Sequence, residues 1–132
     1  MLQGQHVLVI EDEPLIALDL EQALISAGAA VGIAHTAASA TRAAHSPAFT
    51  AAIVDLRLHG QSVREAVERL SARDLPFLFY SGHTETPTAA SWPSVPLLIK
   101  PLPPAEVVDM LTRIVSAKAA RIAEQDKKQE PA

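Results

Sequence analysis

Apolar residues fall in short unbroken runs, and the stretches between them carry helical spacing. His6–Ile10 is apolar without alternation, the pattern of a strand buried on both faces, as in a parallel sheet. Pro14 stands where a first-turn proline is tolerated. Leu15, Leu18, Ala23 and Leu24 then trace a helical stripe up to Gly28, a natural stop. Ala30–Ala34 reads as a second strand, and Thr36 can cap an alanine-rich helix over residues 37–45 that Pro47 closes. A third strand over 51–55 ends at an acid, followed by a loop with Gly60 and a helix over 62–72. Phe77–Ser81 is a fourth strand. Residues 82–96 hold three prolines, several hydroxyl residues and the single tryptophan, Trp92, so the helix expected there is short or irregular. A fifth strand over 95–99 precedes a last helix beginning at Pro103 or Pro104, with Val107, Val108, Leu111, Ile114 and Val115 as its buried face.

Five strands separated by helical segments imply right-handed crossovers. The expected fold is α/β, a doubly wound five-stranded parallel sheet of flavodoxin-like strand order 2-1-3-4-5 with helices on both faces. Residues 1–117 form one domain, within the roughly 100–200 residues that a single core occupies. Residues 118–132 contain Ile122 as their one large apolar residue, so they read as a helical extension and a disordered C-terminal tail.

Composition narrows the function classes. The formal net charge of -4, from 11 basic against 15 acidic residues, supplies no diffuse basic surface, which argues against nucleic-acid binding. Cysteine is absent, excluding disulfides, thiolate metal sites and cysteine nucleophiles. The N-terminus lacks the features of a secretory signal, and no run approaches 18 apolar residues, so neither export nor a membrane span is expected and the reading is cytoplasmic. The five histidines share no ligand spacing, which argues against zinc. The five glycines form no phosphate-binding loop.

The remaining chemistry sits at the strand ends: Glu11 and Asp12 after the first, Asp55 after the third, Ser81 after the fourth and Lys100 after the fifth. With the first and third strands adjacent, Asp12 and Asp55 converge. Converging carboxylates repel unless a cation joins them, and hard oxygen donors favour Mg²⁺, which readily takes a phosphate oxygen. Taken singly, each acid reads equally well as a helix cap or a solvated loop residue. Their joint order at successive strand ends is the specific signal.

Through VLVIEDE at 7–13, IVDLRLHG at 53–60, FYSG at 79–82 and IKP at 99–101, the sequence resembles the receiver domain of two-component response regulators over roughly residues 5–117. The resemblance implies that Asp55 is the phosphoacceptor and that Mg²⁺ is bound by Asp12 and Asp55, by the Arg57 backbone carbonyl and by Glu11 through a water. It also implies that Ser81 and Lys100 contact phosphoryl oxygens. An ionised Asp is a competent nucleophile, and the cation and Lys100 would neutralise charge on the transferring group.

Two departures narrow the resemblance. Leu97 stands where many receivers carry an aromatic switch residue three positions before the lysine. PFLFYSGH at 76–83 is similar to the segment that defines the so-called FATGUY receivers, with Tyr80, Ser81 and His83 as substitutions. That subgroup lacks the aromatic switch and is typically a single-domain protein served by sensor histidine kinases of the HWE or HisKA2 type. The expected function is therefore a single-domain, Mg²⁺-dependent phosphoacceptor that relays a signal to a downstream protein. It is not an enzyme beyond catalysing its own phosphorylation and slow dephosphorylation. Activation is expected to run through ordering of residues 82–96. The competing readings are a phosphate sink, a constitutive pseudo-receiver and an aspartyl-phosphate phosphatase; the last wants a second Asp where Arg57 stands. Arg121, Ile122 and Glu124 would supply a homodimer contact if the last helix continues.

Overall fold

The computed structural model describes residues 1–82 and 86–129. Five parallel strands form the main sheet: β1 (His6–Ile10), β2 (Ala30–Ala34), β3 (Ala51–Val54), β6 (Phe77–Ser81) and β7 (Leu97–Ile99). Between β3 and the next helix lies a two-stranded hairpin of β4 (Arg57–Leu58) and β5 (Gln61–Ser62). The helices are α1 (Pro14–Ser26), α2 (Ala37–Ala44), α3 (Arg64–Ala72), α4 (Pro87–Ser91) and α5 (Pro104–Gln129). The sheet order β2-β1-β3-β6-β7 is 2-1-3-4-5 when its own strands are counted, the flavodoxin-like order expected.

The uninterrupted apolar strands follow from a sheet covered on both faces. Leu8, Ile10, Val54 and Phe79 pack against Ala40, Ala44, Val67 and Leu70 of α2 and α3. Val7, Val9, Ile53 and Leu78, pointing the other way, pack against Leu20 and Leu24 of α1 and Val107 and Leu111 of α5. Alternate residues of a strand face opposite sides, so successive positions within these strands are apolar, His6 and Ser81 standing at their ends. Gly32 in β2 has a separate cause. A Cβ there would lie 2.6 Å from the Phe49 ring, so glycine lets that ring lie on the strand.

The stripe expected on α1 is corrected. Its buried residues are Ala17, Leu20 and Leu24, whereas Leu15 and Leu18 are exposed, Leu15 at 77%. The helix is apolar on more than one side, so spacing alone did not select the side that meets the sheet. Thr36 caps α2 as expected, and the side chains of Thr36 and Ser39 each accept from the other's backbone N–H, the reciprocal capping box.

Helix α3 begins at Arg64 rather than 62, because β4 and β5 occupy the preceding residues. His59 and Gly60 both have positive φ, 49° and 76°, as a two-residue hairpin turn requires for strands of right-handed twist. Leu58 and Val63 anchor the hairpin in the core.

Helix α4 is five residues long, the short fourth helix expected, and Thr86 caps it by accepting from the Ala89 N–H at 3.1 Å. Trp92 packs against the core beside it, as a plug for the proline-rich segment. Arg64 reaches across from α3 to donate to the Pro87 carbonyl at 3.1 Å and the Ser91 hydroxyl at 2.7 Å, and lies 5.3 Å from the Trp92 ring centroid. Helix α5 runs continuously through residue 117 to Gln129, about 39 Å at 1.5 Å per residue. The Lys118 ammonium donates to the Asp74 carbonyl, and Arg121, Ile122 and Glu124 are exposed. His83 and residues 130–132 of the expected tail lie outside the described residues. Among the described residues no helix is long and apolar enough to cross a membrane.

Candidate functional site

The backbone ladder continues past the strand ends and thereby assembles the site. Asp55 N donates to Ile10 O at 2.9 Å, and Glu11 N to Ala34 O at 3.0 Å. Lys100 N donates to Ser81 O at 3.1 Å. With the pairing of β3 and β6, these bonds set Glu11, Asp55, Ser81 and Lys100 side by side across four adjacent strands, at the C-terminal edge where parallel sheets present ligands.

The side chains converge on Asp55, which is buried. Its Oδ1 accepts from the Ser81 hydroxyl at 2.7 Å and from the Arg57 N–H at 3.4 Å. Its Oδ2 accepts from the Lys100 ammonium at 2.9 Å. Lys100 is also paired with Glu11, at 2.6 Å from Oε1, while Glu11 Oε2 accepts from the Glu13 N–H at 3.1 Å. Asp12 stands at the outer rim, where its Oδ2 accepts from the His59 N–H at 2.8 Å.

Glu11 is 1% exposed, and that burial pushes its carboxyl from 4.5 to about 7, against the opposing pull of Lys100 and the Glu13 N–H. Burial also works against the Lys100 charge, but the carboxylates of Glu11 and Asp55 outweigh it and hold the ammonium above its usual 10.5. The lysine therefore keeps its charge, and Glu11 is the member of the pair that takes up a proton near neutrality. Asp12 is also partly desolvated, which raises its carboxyl. The His59 N–H, the Glu11 side chain, its own N–H and the His59 ring together hold it below 3.8.

Glu11, Asp12 and Asp55 each offer an oxygen, and these oxygens lie within 4.8 Å of one another. Hard carboxylate donors with neither sulfur nor nitrogen among them fit Mg²⁺. The partial exposure of Asp12 leaves one side open for the waters such an ion retains. Glu11, Asp12, Asp55, Ser81 and Lys100 thus lie within one site, and Arg57 joins it through its backbone N–H on Asp55, whereas the expectation concerned its carbonyl.

Three contacts were not read from the sequence. One is the pairing of Glu11 with Lys100. Another is the His59 N–H on Asp12, whose signal was the His59-Gly60 turn. The last is Tyr80, whose hydroxyl accepts from the Leu102 N–H at 2.9 Å and donates to the Leu102 carbonyl at 3.2 Å.

No family model matches the sequence, and no curated protein matches it. Solved structures do. The chain is similar to the non-phosphorylated HemR receiver domain of Leptospira biflexa, with a TM-score of 0.75 and 24% identity over 86% of this chain and 95% of that one. It is similar to the receiver domain of the sensor histidine kinase PA1611 of Pseudomonas aeruginosa, solved with a magnesium ion in its active-site cleft. There the TM-score is 0.71 and the identity 24%, over 86% and 98% of the two chains. A response regulator of Burkholderia pseudomallei carrying a phosphorylated aspartic acid and a calcium ion gives 0.71 and 23%, over 98% and 76%. With the strand order and the layering of helices, these likenesses establish that the chain has the flavodoxin-like receiver fold of response regulators.

Proposed function

We propose that this chain accepts a phosphoryl group on Asp55 from a phosphohistidine of a sensor histidine kinase, in a Mg²⁺-dependent reaction. The observation that carries the reading is the Asp55 carboxylate itself: it is buried at a strand end, with a hydroxyl on one oxygen and an ammonium on the other. Asp12 and Asp55 would hold Mg²⁺ directly, with the Arg57 backbone carbonyl and, through a water, Glu11. The bound ion would supply charge neutralisation for the phosphoryl oxygens.

The chain's own residues do the rest. An oxygen of Asp55 attacks phosphorus as the P–N bond breaks, the electron pair stays on the imidazole nitrogen, and an acyl phosphate forms. Ser81 and Lys100, which now donate to the Asp55 carboxylate, turn to the phosphoryl oxygens, where their donors meet the charge that gathers during transfer. The near-complete burial of Asp55 limits the access of water. The protein is read as catalysing its own phosphorylation and slow dephosphorylation and no further reaction. An aspartyl-phosphate phosphatase is disfavoured by Arg57 at the position where a second acid is required.

A kinase helix would meet the exposed apolar side of α1 at Leu15 and Leu18. The FATGUY subgroup, and with it a kinase of the HWE or HisKA2 type, is favoured by Leu97 and the short α4. The relay would reach a downstream protein in the cytoplasm, and the exposed Arg121, Ile122 and Glu124 of α5 would serve a contact between two copies.

Asp55→Asn tests the reading. It keeps the shape but removes the nucleophile and the charge, so Mg²⁺-dependent labelling by kinase and by phosphoramidate is expected to vanish while the fold survives. Residual stable labelling at another acid would falsify the assignment, and a wild-type chain that takes no label would favour a pseudo-receiver.

A further inference from the structure

Between Lys100 and Ala105 the chain reads Pro101-Leu102-Pro103-Pro104. Proline has no N–H, so Leu102 carries the one amide hydrogen in this segment. No other residue between Lys100 and Ala105 can donate a backbone hydrogen bond, although the Pro103 carbonyl accepts from the Glu106 N–H at 2.9 Å where the last helix begins. The Leu102 N–H donates to the Tyr80 hydroxyl at 2.9 Å, and the same hydroxyl donates back to the Leu102 carbonyl at 3.2 Å. Tyr80 is 5% exposed and precedes Ser81 on β6. Its ring also lies below the Lys100 ammonium, with the centroid 5.7 Å from Nζ.

Lys100 is thus fixed on two sides by one stretch of β6. Its N–H donates to the Ser81 carbonyl, and two residues later the chain is tied to Tyr80. A long flexible side chain has no preferred site of its own. Its ammonium reaches Asp55 and Glu11 because the backbone on either side is pinned in register with Ser81. We infer that Tyr80 is a positioning residue: its hydroxyl anchors the Lys100–Pro104 loop and so aims Lys100 at the same phosphoryl group that Ser81 contacts. The inference rests on the phosphoacceptor reading and adds to it a residue outside the reacting set.

Tyr80→Phe tests it, since the ring and its packing remain and only the hydroxyl is lost. The wild-type chain is labelled first with phosphoramidate under saturating Mg²⁺. If Asp55 takes no label, the phosphoacceptor reading fails and this inference falls with it. Given labelling, the variant is expected to lose hydrogen-exchange protection at the Leu102 amide. Its maximal labelling rate should fall about tenfold, the worth of one net hydrogen bond. Its Mg²⁺ affinity should stay unchanged, because the acids are held by other elements.

A double-mutant cycle separates positioning from general loosening. In a Lys100→Met background, adding Tyr80→Phe is expected to change the residual rate by less than about twofold, since there is no ammonium left to aim. Full-speed labelling by Tyr80→Phe after loss of Leu102 protection would overturn the inference, as would an undiminished effect in the Lys100→Met background.

Discussion

The Lys100 ammonium lies 2.6 Å from Oε1 of Glu11, closer than its 2.9 Å approach to Oδ2 of Asp55. The two side chains form a pair that is nearly removed from water, with 2% of the Glu11 side chain and 16% of the Lys100 side chain exposed. Desolvation offsets much of the attraction in such a pair, so it is poor evidence of stabilisation. Its consequence here is positional. Lys100 is already charged and already oriented between two carboxylates, so under the proposed function a phosphoryl group arriving at Asp55 would draw it away from Glu11 rather than out of solvent.

The first prediction concerns pH. Below pH 4.5 the Glu11 carboxyl is protonated in the folded and the unfolded chain alike. Between about 4.5 and about 7 the unfolded chain releases a proton that the folded chain keeps. Metal-free stability should therefore fall as pH rises through that window, by at most about 3 kcal/mol at 1.36 kcal/mol per pKa unit. Asp12 acts in the opposite sense, but its window lies below 3.8. Urea denaturation in EDTA at several pH values should show the decline, and Glu11→Gln should flatten it. A wild-type profile as flat as the variant's would contradict the burial effect. Mg²⁺ favours the ionised acid, so its binding near pH 6 should release a proton, measurable by calorimetry in buffers of different ionisation enthalpy.

The second concerns the hairpin. Gly60 has φ +76° and open space around a would-be Cβ, so a larger residue meets backbone strain and no clash. Gly60→Val should cost about 1–2 kcal/mol and draw the His59 N–H away from Asp12, weakening Mg²⁺ binding several-fold. Gly60→Asn, which tolerates the left-handed region, should restore most of both. Equal Mg²⁺ affinity in all three chains would show that the hairpin does not orient Asp12.

The third concerns α4. Arg64 joins α3 to Pro87, Ser91 and Trp92 through two hydrogen bonds and a cation–π contact. Arg64→Ala should destabilise the fold by about 1 kcal/mol, because its partners are solvent-accessible and each contact is worth little alone. Trp92 emission, the single tryptophan signal of the chain, should shift to the red as water reaches the ring. Unaltered emission would mean that α4 holds its place through Thr86, Thr88 and Ala89 without the arginine.

Much was legible because the information is local. Unbroken apolar runs such as His6–Ile10, proline at Pro14, the Thr36 cap and the acids that end β1 and β3 each report their own element and their place along it. From these the parallel sheet follows, with Asp12, Asp55, Ser81 and Lys100 at its strand ends; the strand order that makes them converge came with the resemblance, because a doubly wound sheet can take more than one order. The resemblance added roles that spacing does not contain.

What only the tertiary structure decided depends on which side chains meet across elements. Leu15 and Leu18 look as apolar as Leu20 and Leu24 in the sequence, and it is the docking of α1 on β1 and α5 that buries one pair and exposes the other. The two-residue strands β4 and β5 are too short for periodicity to register, although His59-Gly60 names their turn. Glu11 reads as a solvated acid until the sheet closes over it and brings Lys100, 89 positions later in the chain, within 2.6 Å. The Tyr80–Leu102 tie has the same origin. A sequence specifies donors and acceptors residue by residue, whereas hydrogen bonds between distant residues form only at distances that strand register and loop closure set together.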